Sequence, residues 1–216
     1  MDEMIKREMD GIEQTEEKFD SETQLRYLTE KINKLIKEKS CVVVGIDGSC
    51  TSGKSTLAGW LAERYDCNVF HMDDFFLRQE QRTEERFAEP GGNVDRERFA
   101  EEVLLPLVAW KNNEFKDFEY RPYICSEQSL GGAVKVGRKQ LNIIEGSYCL
   151  HPELEYAYDL KVLLAVHPEV RRERILARPE FLHQRFFEEW IPMEQKYFNS
   201  SNITERCDII IVGLNI

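Results

Sequence analysis

The octapeptide Gly48–Ser55 constrains the fold of this chain more than any other segment. It reads GSCTSGKS, which fits the phosphate-binding pattern G-x-x-x-x-G-K-[S/T]. The apolar run Cys41–Ile46 before it is typical of a buried parallel strand, and the segment Gly53–Arg64 has a helical pattern. A strand, a glycine-bearing loop and a helix in this order predict a phosphate site at the start of the helix.

Each residue type in this P-loop suits a particular contact with a nucleoside triphosphate. The glycines permit backbone angles closed to other residues, so that loop N–H groups can converge on phosphate oxygens. Lys54 would neutralise the β- and γ-phosphates, and the Ser55 hydroxyl would coordinate Mg²⁺. Thr56 either faces the α-phosphate or is an ordinary residue of the first helical turn. The predicted cofactors are ATP and Mg²⁺, and the cofactor-binding residues predicted in the loop are Gly48, Ser49, Thr51, Ser52, Gly53, Lys54, Ser55 and Thr56.

Length and charge exclude several classes of protein. The 216 residues suit one α/β domain, and no apolar run approaches the roughly 18–20 residues that cross a bilayer. The net charge of −11 argues against a nucleic acid partner. The acidic N-terminus lacks the apolar region of a signal peptide, and the six cysteines read as reduced thiols without zinc spacing. These features predict a cytoplasmic protein with neither nucleic acid nor membrane as partner.

The pattern along the chain predicts an α/β fold. Residues 1–20 carry eight acids against three bases and predict an acidic N-terminal tail or helix. Residues 21–216 predict a single P-loop domain. It begins with a helix that runs to about Lys39, with a capping box formed by Ser21 and Gln24. The five predicted core strands are Cys41–Ile46, Asn68–Met72, Leu141–Glu145, Leu160–Val166 and Asp208–Val212.

Helical patterns separate these strands, which indicates a five-stranded parallel sheet covered on both faces, a three-layer sandwich. The helices include Asp95–Trp110 and Phe181–Phe198, the second interrupted at Pro192. A small β-hairpin insertion is predicted from Phe118–Ile124 and Ala133–Val136.

A second site residue follows the second predicted strand, in the segment His71-Met72-Asp73-Asp74-Phe75-Phe76. Ligands of open parallel sheets bind beyond the carboxyl ends of the strands, so Asp73 should lie beside the P-loop. A carboxylate there can orient an acceptor hydroxyl and take its proton. The alternative is a pair of acids that cap a helix, which is the favoured interpretation for Asp74.

From Val42 to Val212 the order of motifs resembles the uridine kinase and nicotinamide riboside kinase branch of the P-loop kinases. The matching order is the P-loop, Asp-Asp-Phe-Phe, Asn-Val-Asp, Ile-Ile-Glu-Gly and an arginine-rich helix. The resemblance implies that Asp73 is the general base, that Asp95 binds ribose hydroxyls and that Glu145 lies near Mg²⁺. Asp95 could instead be a helix N-cap. The Glu145 charge, at the end of an apolar strand, would be costly unless it is paired or near a metal.

The arginine-rich helix is the last element of the resemblance. Arg171, Arg174 and Arg178 are three and four residues apart and share one helix face. The resemblance implies a lid in which Arg171 and Arg178 bind the nucleotide, while Arg174 contacts the transferring phosphoryl group and the substrate. The alternative is a solvated basic face, partly paired with Glu169 and Glu173.

The acceptor is the least defined part of the expected function. The resemblance implies transfer of the γ-phosphoryl group of ATP to a primary hydroxyl, the 5′-OH of a ribonucleoside, by a substrate site that includes Asp73, Asp95, Tyr123 and Arg174. The His-bearing motif that accompanies uracil recognition is absent, although Tyr123 is retained. A kinase for another small alcohol, such as pantothenate or a sugar phosphate, and a nucleotide-binding regulatory protein remain alternatives. Homo-oligomerisation is left open.

Overall fold

The computed structural model describes residues 20–216. Of the acidic segment predicted over 1–20, all but Asp20 lies outside the described residues. The strands are, in chain order, β1 Val42–Gly48, β2 Cys67–His71, β3 Phe118–Tyr120, β4 Tyr123–Ile124, β5 Ser129–Leu130, β6 Val134–Val136, β7 Leu141–Glu145, β8 Leu160–Ala165 and β9 Ile209–Val212.

The α-helices of the same region are α1 Ser21–Glu38, α2 Lys54–Ala62, α3 Glu84–Ala88, α4 Arg96–Phe99, α5 Leu105–Lys111, α6 Pro168–Leu176, α7 His183–Arg185, α8 Ile191–Ser201 and α9 Ile203–Arg206. Short 3₁₀ turns cover Met72–Phe75, Gln79–Gln81, Pro152–Ala157 and Glu180–Leu182.

Five strands form one parallel sheet in the order β2-β7-β1-β8-β9, which confirms the predicted α/β fold and its five-stranded parallel sheet. The register aligns Ile46 of β1 with Glu145 of β7, and Glu145 with His71 of β2. The carboxyl ends of three neighbouring strands therefore meet at one level, with the P-loop directly beyond β1.

Two apolar cores cover the two faces of the sheet. On one face α1 and α2 pack against alternate residues of the strands, through Leu25, Leu28, Ile32, Leu57, Ala58 and Leu61. On the other face α4, α5, α8 and the hairpin region supply a core rich in aromatic side chains, among them Phe75, Phe99, Trp110, Tyr120 and Tyr197. Successive residues of β1, such as Val43 and Val44, point into opposite cores, as the pleat of a strand requires.

The capping box predicted at the start of α1 is wrong. The N-cap is Asp20, whose Oδ1 accepts from Thr23 N at 2.7 Å. Gln24 instead pairs with the backbone of Val212 in β9, donating to its carbonyl at 3.0 Å and accepting from its N–H at 2.8 Å. A partner distant in sequence competes for the glutamine, and the local pattern carries no sign of it.

Two long helical predictions are present but broken into segments. A π-helical turn, Ala100–Leu104, joins α4 to α5, and another, Phe186–Trp190, precedes α8. Each turn is followed by a proline in the first turn of the next helix, Pro106 in α5 and Pro192 in α8. Proline has no N–H and crowds the preceding turn, and a widened turn accommodates both effects. The interruption predicted at Pro192 is thus present as a π-helical turn that ends at Trp190, directly before α8.

The predicted insertion is a pair of nested hairpins. β3 pairs with β6, and within that pair β4 pairs with β5. The inner hairpin packs against the Met72–Phe75 turn, so the insertion forms one wall beside the carboxyl edge of the sheet. No helix among residues 20–216 is long and apolar enough to span a membrane.

Candidate active site

The P-loop wraps around the ammonium group of Lys54. Lys54 Nζ donates to the carbonyls of Gly48 and Ser49, both at 2.9 Å. Gly48 has φ 150°, and a Cβ there would lie 2.4 Å from the carbonyl oxygen of Leu164. Gly53 has φ 103° and directly precedes α2. The loop backbone thus requires both glycines, and it leads into the positive N-terminus of a helix.

Ser55 and Glu145 form the site that the sequence predicted for a metal ion. The Ser55 hydroxyl donates to Glu145 Oε1 at 3.0 Å, and His71 Nδ1 lies 2.6 Å from the same oxygen. The hydrogen bond to Glu145 is the largest influence on His71 and raises the pKa of its imidazole. Glu145 is buried, so its charge is offset by these two partners.

These two oxygen donors fit Mg²⁺ in one specific way. Mg²⁺ binds one or two protein oxygens together with the phosphates of a nucleotide and water. The described part of the chain holds no cluster of three or more His, Cys, Asp or Glu side chains suited to a metal ion. Ser55 and Glu145 therefore fit an ion that arrives with nucleotide phosphates rather than one held by the protein alone.

Asp73 and Asp74 have different surroundings. Asp74 Oδ2 accepts from the Tyr120 hydroxyl at 3.2 Å, so this carboxylate is turned toward the hairpins. The Asp73 carboxylate makes no hydrogen bond or ion pair with the rest of residues 20–216, and its residue is exposed. Burial by neighbouring atoms and then the Glu145 charge raise the pKa of Asp73, while Lys54 and His71 act in the opposite direction. Asp73 thus lies close to both the P-loop lysine and Glu145.

Asp95 is almost completely buried, with 2% of its surface exposed. It is the N-cap of α4, since its Oδ1 accepts from Arg98 N at 3.2 Å. Its other oxygen lies 3.5 Å from Arg98 Nε and 3.9 Å from Arg78 Nε. This position favours the N-cap interpretation over a direct contact with ribose.

Tyr123 lies in β4 of the inner hairpin, which packs against the turn that carries Asp73. Its hydroxyl accepts from Arg82 at 2.9 Å and donates to Gln128 Oε1 at 3.1 Å. The ring is buried. The sequence singled out Tyr123 but missed Arg82 and Gln128, because both become neighbours of the tyrosine only when the hairpin folds back.

Arg174 and Arg178, two of the three arginines predicted to form a lid, line a cavity of about 390 Å³ beside the P-loop. Its walls are Thr51, Gly53–Thr56, Arg174, Arg178 and the chain end at 214–216. Arg174 bridges the two sides, donating to Thr51 O at 2.9 Å and to Leu214 O at 3.4 Å. The cavity adjoins the helix N-terminus and has room for the remainder of a nucleotide bound by the loop.

Arg171 is held differently, by a glutamate that the sequence did not indicate. Its NH2 lies 2.5 Å from Glu194 Oε2, in an ion pair in which Glu194 is buried. The other Glu194 oxygen accepts from Cys50 N at 2.8 Å and from the Ser147 hydroxyl at 2.9 Å. Glu194 therefore ties α8 and the lid to the first half of the P-loop. Arg171 is therefore paired with Glu194, and not with Glu169 or Glu173 as the solvated-face alternative allowed.

Asp47 is another buried carboxylate, and it stabilises the start of the P-loop. Oδ1 accepts from Gly48 N at 2.6 Å and Tyr148 N at 3.2 Å, and Oδ2 accepts from Leu150 N at 2.9 Å and the Tyr197 hydroxyl at 2.9 Å. Burial raises the pKa of Asp47 to about 6, and these donors oppose that effect. Through these four hydrogen bonds the Asp47 carboxyl group joins β1, the turn after β7 and α8.

Replacing Asp47 with asparagine should lower the free energy of unfolding at neutral pH. The amide NH2 would face donors in place of a carboxylate oxygen, and each donor left without an acceptor costs about 1–3 kcal/mol. Urea unfolding of both proteins measures the change. Tyr197→Phe removes only one of the four donors and should cost less. An unchanged unfolding midpoint for Asp47→Asn would contradict this account of the network.

The parallel sheet, the glycine-dependent loop and the lysine at the start of α2 define an α/β fold of the P-loop type. The chain superimposes on the structure of a possible uridine kinase from Bacillus stearothermophilus with a TM-score of 0.61 and 21% identity, over 86% of this chain and 99% of that one. It also superimposes on a D-glycerate 3-kinase from Cryptococcus neoformans with a TM-score of 0.51 and 12% identity, over 83% of this chain and 87% of that one. At these identities the similarity establishes the fold.

No protein-family model matches the chain, and no curated protein sequence matches it.

Proposed function

We propose that this chain is an ATP-dependent phosphotransferase that moves the γ-phosphoryl group of ATP to a hydroxyl of a small molecule. One observation carries the proposal: a carboxylate without a protein hydrogen-bond partner, Asp73, lies within the electrostatic reach of Lys54 and Glu145. A loop that only binds a nucleotide has no need of such a group. The kinase descriptions of the two superimposed structures support the same class of reaction.

Each residue has a distinct part in the proposed reaction. Lys54 and the loop amides would bind the phosphates, and Ser55 and Glu145 would hold Mg²⁺, which would neutralise phosphate charge. Asp73 takes the proton of the acceptor hydroxyl while the oxygen forms its bond to the γ-phosphorus. The bond between that phosphorus and the β,γ-bridging oxygen breaks, and ADP leaves. Arg174 lies at the loop and can contact phosphate oxygens as charge shifts onto the leaving group.

Two classes of acceptor fit this chemistry. The first is a ribonucleoside phosphorylated at its 5′-OH, which the sequence resemblance implies, with Tyr123 beside the sugar or base. The second is another small alcohol, such as pantothenate or a sugar phosphate. The buried position of Asp95 weakens the case for a ribonucleoside, since a residue with 2% exposure offers little surface to a ribose. A nucleotide-binding regulatory protein is the remaining alternative.

A coupled assay of ADP release, run with ATP, Mg²⁺ and a panel of acceptors, tests the proposal. The panel includes ribonucleosides, nicotinamide riboside, pantothenate, glycerate and sugar phosphates. We expect at least one acceptor to raise ADP release well above the acceptor-free rate, and Asp73→Asn to abolish that increase. Tight ATP binding without stimulation by any acceptor would favour the regulatory alternative and would contradict the kinase proposal.

A further inference from the structure

Arg82 donates three hydrogen bonds, two of them to side chains of the inner hairpin region. Its Nε donates to Leu77 O at 3.0 Å, its NH1 to Gln128 Oε1 at 2.9 Å and its NH2 to the Tyr123 hydroxyl at 2.9 Å. All three acceptors are neutral. Arg82 with Tyr123 and Gln128 is called the Arg82 cluster below.

Three arginines of the same region are paired with carboxylates. Arg86 pairs with Glu97 at 2.7 Å, Arg96 with Glu153 at 2.7 Å and Arg98 with Glu102 at 3.3 Å. Among residues 20–216 no carboxylate lies within ion-pair distance of Arg82. In a chain whose net charge is −11, this guanidinium is held in place without a counter-charge.

The contacts leave part of the guanidinium available. A guanidinium carries five N–H groups, and three of them are used here. The two that remain lie one on each terminal nitrogen, and the residue is exposed. Gln128 Oε1 and the Tyr123 hydroxyl lie 3.1 Å apart and so occupy the parallel pair of N–H groups at the end of the fork. The two free N–H groups diverge, and each can donate one charge-assisted hydrogen bond to a carboxylate or phosphate oxygen. Because three neutral contacts already fix the side chain, little conformational freedom would be lost on binding.

The Arg82 cluster and Asp73 border the same space. Tyr123 belongs to β4, which packs against the turn that carries Asp73, and Cys125 directly follows β4. Burial and then the Asp73 charge raise the pKa of the Cys125 thiol, while Arg82 and Arg185 act to lower it. The exposed Cys125 thiol is thus within electrostatic reach of both Asp73 and Arg82.

We propose that the acceptor carries an oxyanion, a carboxylate or a phosphate, which Arg82 binds while the acceptor hydroxyl lies at Asp73. The inference rests on the proposed kinase function and narrows its acceptor from a neutral nucleoside to an anionic small alcohol. Tyr123 and Gln128 are positioning residues, because they hold the guanidinium and do not themselves need to contact the ligand.

Matched pairs of acceptors test the charge requirement directly. The pairs are D-glycerate with glycerol, pantothenate with pantothenol, and ribose 5-phosphate with ribose. The first two pairs test recognition of a carboxylate, and the third tests recognition of a phosphate. We expect the anionic member of an accepted pair to have the higher kcat/KM by about 10- to 100-fold, the worth of a charge-assisted contact. Equal use of both members, or preference for the neutral one, would overturn the inference.

Arg82→Gln separates binding of the anion from support of the fold. It should raise KM for the anionic acceptor by about 10-fold or more, with a smaller effect on kcat and none on the neutral acceptor. Equal losses for both members would show a structural role and refute the proposal. Arg138→Gln is the matched control. The Arg138 guanidinium stacks on the Phe115 ring at 3.4 Å, and its charge acts to lower the pKa of Cys41, which precedes β1 at the end away from the P-loop. It should behave as the unmodified chain.

Binding of inorganic phosphate tests the site even if no acceptor of the panel is used. The chain is first saturated with Mg²⁺ and a non-hydrolysable ATP analogue, which fills the P-loop, and phosphate is then titrated calorimetrically. We expect phosphate to bind, and Arg82→Gln to weaken that binding by about 10-fold or more while Arg138→Gln does not. Absent binding, or equal binding by all three proteins, would overturn the inference. Failure to bind the ATP analogue would instead overturn the proposed function.

Discussion

Replacing Asp73 with asparagine should lower kcat by about 10²- to 10⁴-fold while the affinity for ATP barely changes, the usual loss for a general base. Asparagine keeps the size of the side chain and one acceptor oxygen, but it cannot take a proton. The P-loop itself remains intact, because Asp73 makes no hydrogen bond to it in the described residues. The measurements are kcat and the Kd for ATP, with whichever acceptor the panel returns.

Asp74→Asn is the matched control for this substitution. Asp74 is the adjacent carboxylate, but its oxygen is engaged by the Tyr120 hydroxyl at 3.2 Å. Its replacement should therefore cost less in kcat, and any cost that arises through Mg²⁺ should be partly recovered at high Mg²⁺. A larger loss of kcat for Asp74→Asn, or an Asp73→Asn variant that mainly binds ATP more weakly, would mean that the roles are wrongly assigned.

The pH dependence gives a second readout for Asp73. The base acts when it is ionised, so kcat should fall as the pH drops through the pKa of Asp73. Burial and the Glu145 charge place that pKa above the usual range of an aspartate. The Asp73→Asn variant has no carboxylate to ionise. Its kcat should be low and should no longer fall as the pH drops through this range.

Lys54→Ala should lower turnover by on the order of 10²-fold or more without unfolding the chain. The substitution removes the ammonium group that would contact the transferring phosphate. It also removes the two bonds from Nζ to Gly48 O and Ser49 O, so the loop should bind ATP more weakly as well. Steady-state turnover, ATP affinity and the thermal unfolding midpoint measure the three effects separately.

Lys161→Ala provides a comparison for the loss of a lysine elsewhere. Lys161 pairs with Glu155 at 3.0 Å and takes no part in the P-loop. Its removal should leave turnover close to that of the unmodified chain. Normal turnover in Lys54→Ala would refute the assignment of Gly48–Ser55 as the nucleotide site.

The elements that could be predicted from the sequence are those whose signal is contiguous. β7 begins and ends at the predicted residues, and β1 lies within two residues of its prediction at its C-terminal end. A run of buried apolar residues bounded by glycine or charge identifies a central parallel strand without knowledge of its neighbours. The P-loop is contiguous in the same sense, so its position between a strand and a helix could be recognised directly.

Errors arose where a residue has a choice of partners. Ser21 and Gln24 fit the local pattern of a capping box, yet the glutamine pairs with Val212, 188 residues away. The local rule is sound here, and packing supplied a competing partner.

The sequence by itself determined the sheet-and-helix class, the phosphate-binding loop and the chemical types of Lys54, Ser55, Asp73 and Glu145. Only the tertiary structure decided how those groups are supported. Glu194 reaches Cys50 across 144 residues, and Tyr197 reaches Asp47 across 150. The physical reason is that a buried carboxylate is stable only where several donors converge on it. Such convergence depends on which helix packs against which strand end, and no local pattern of residues records it.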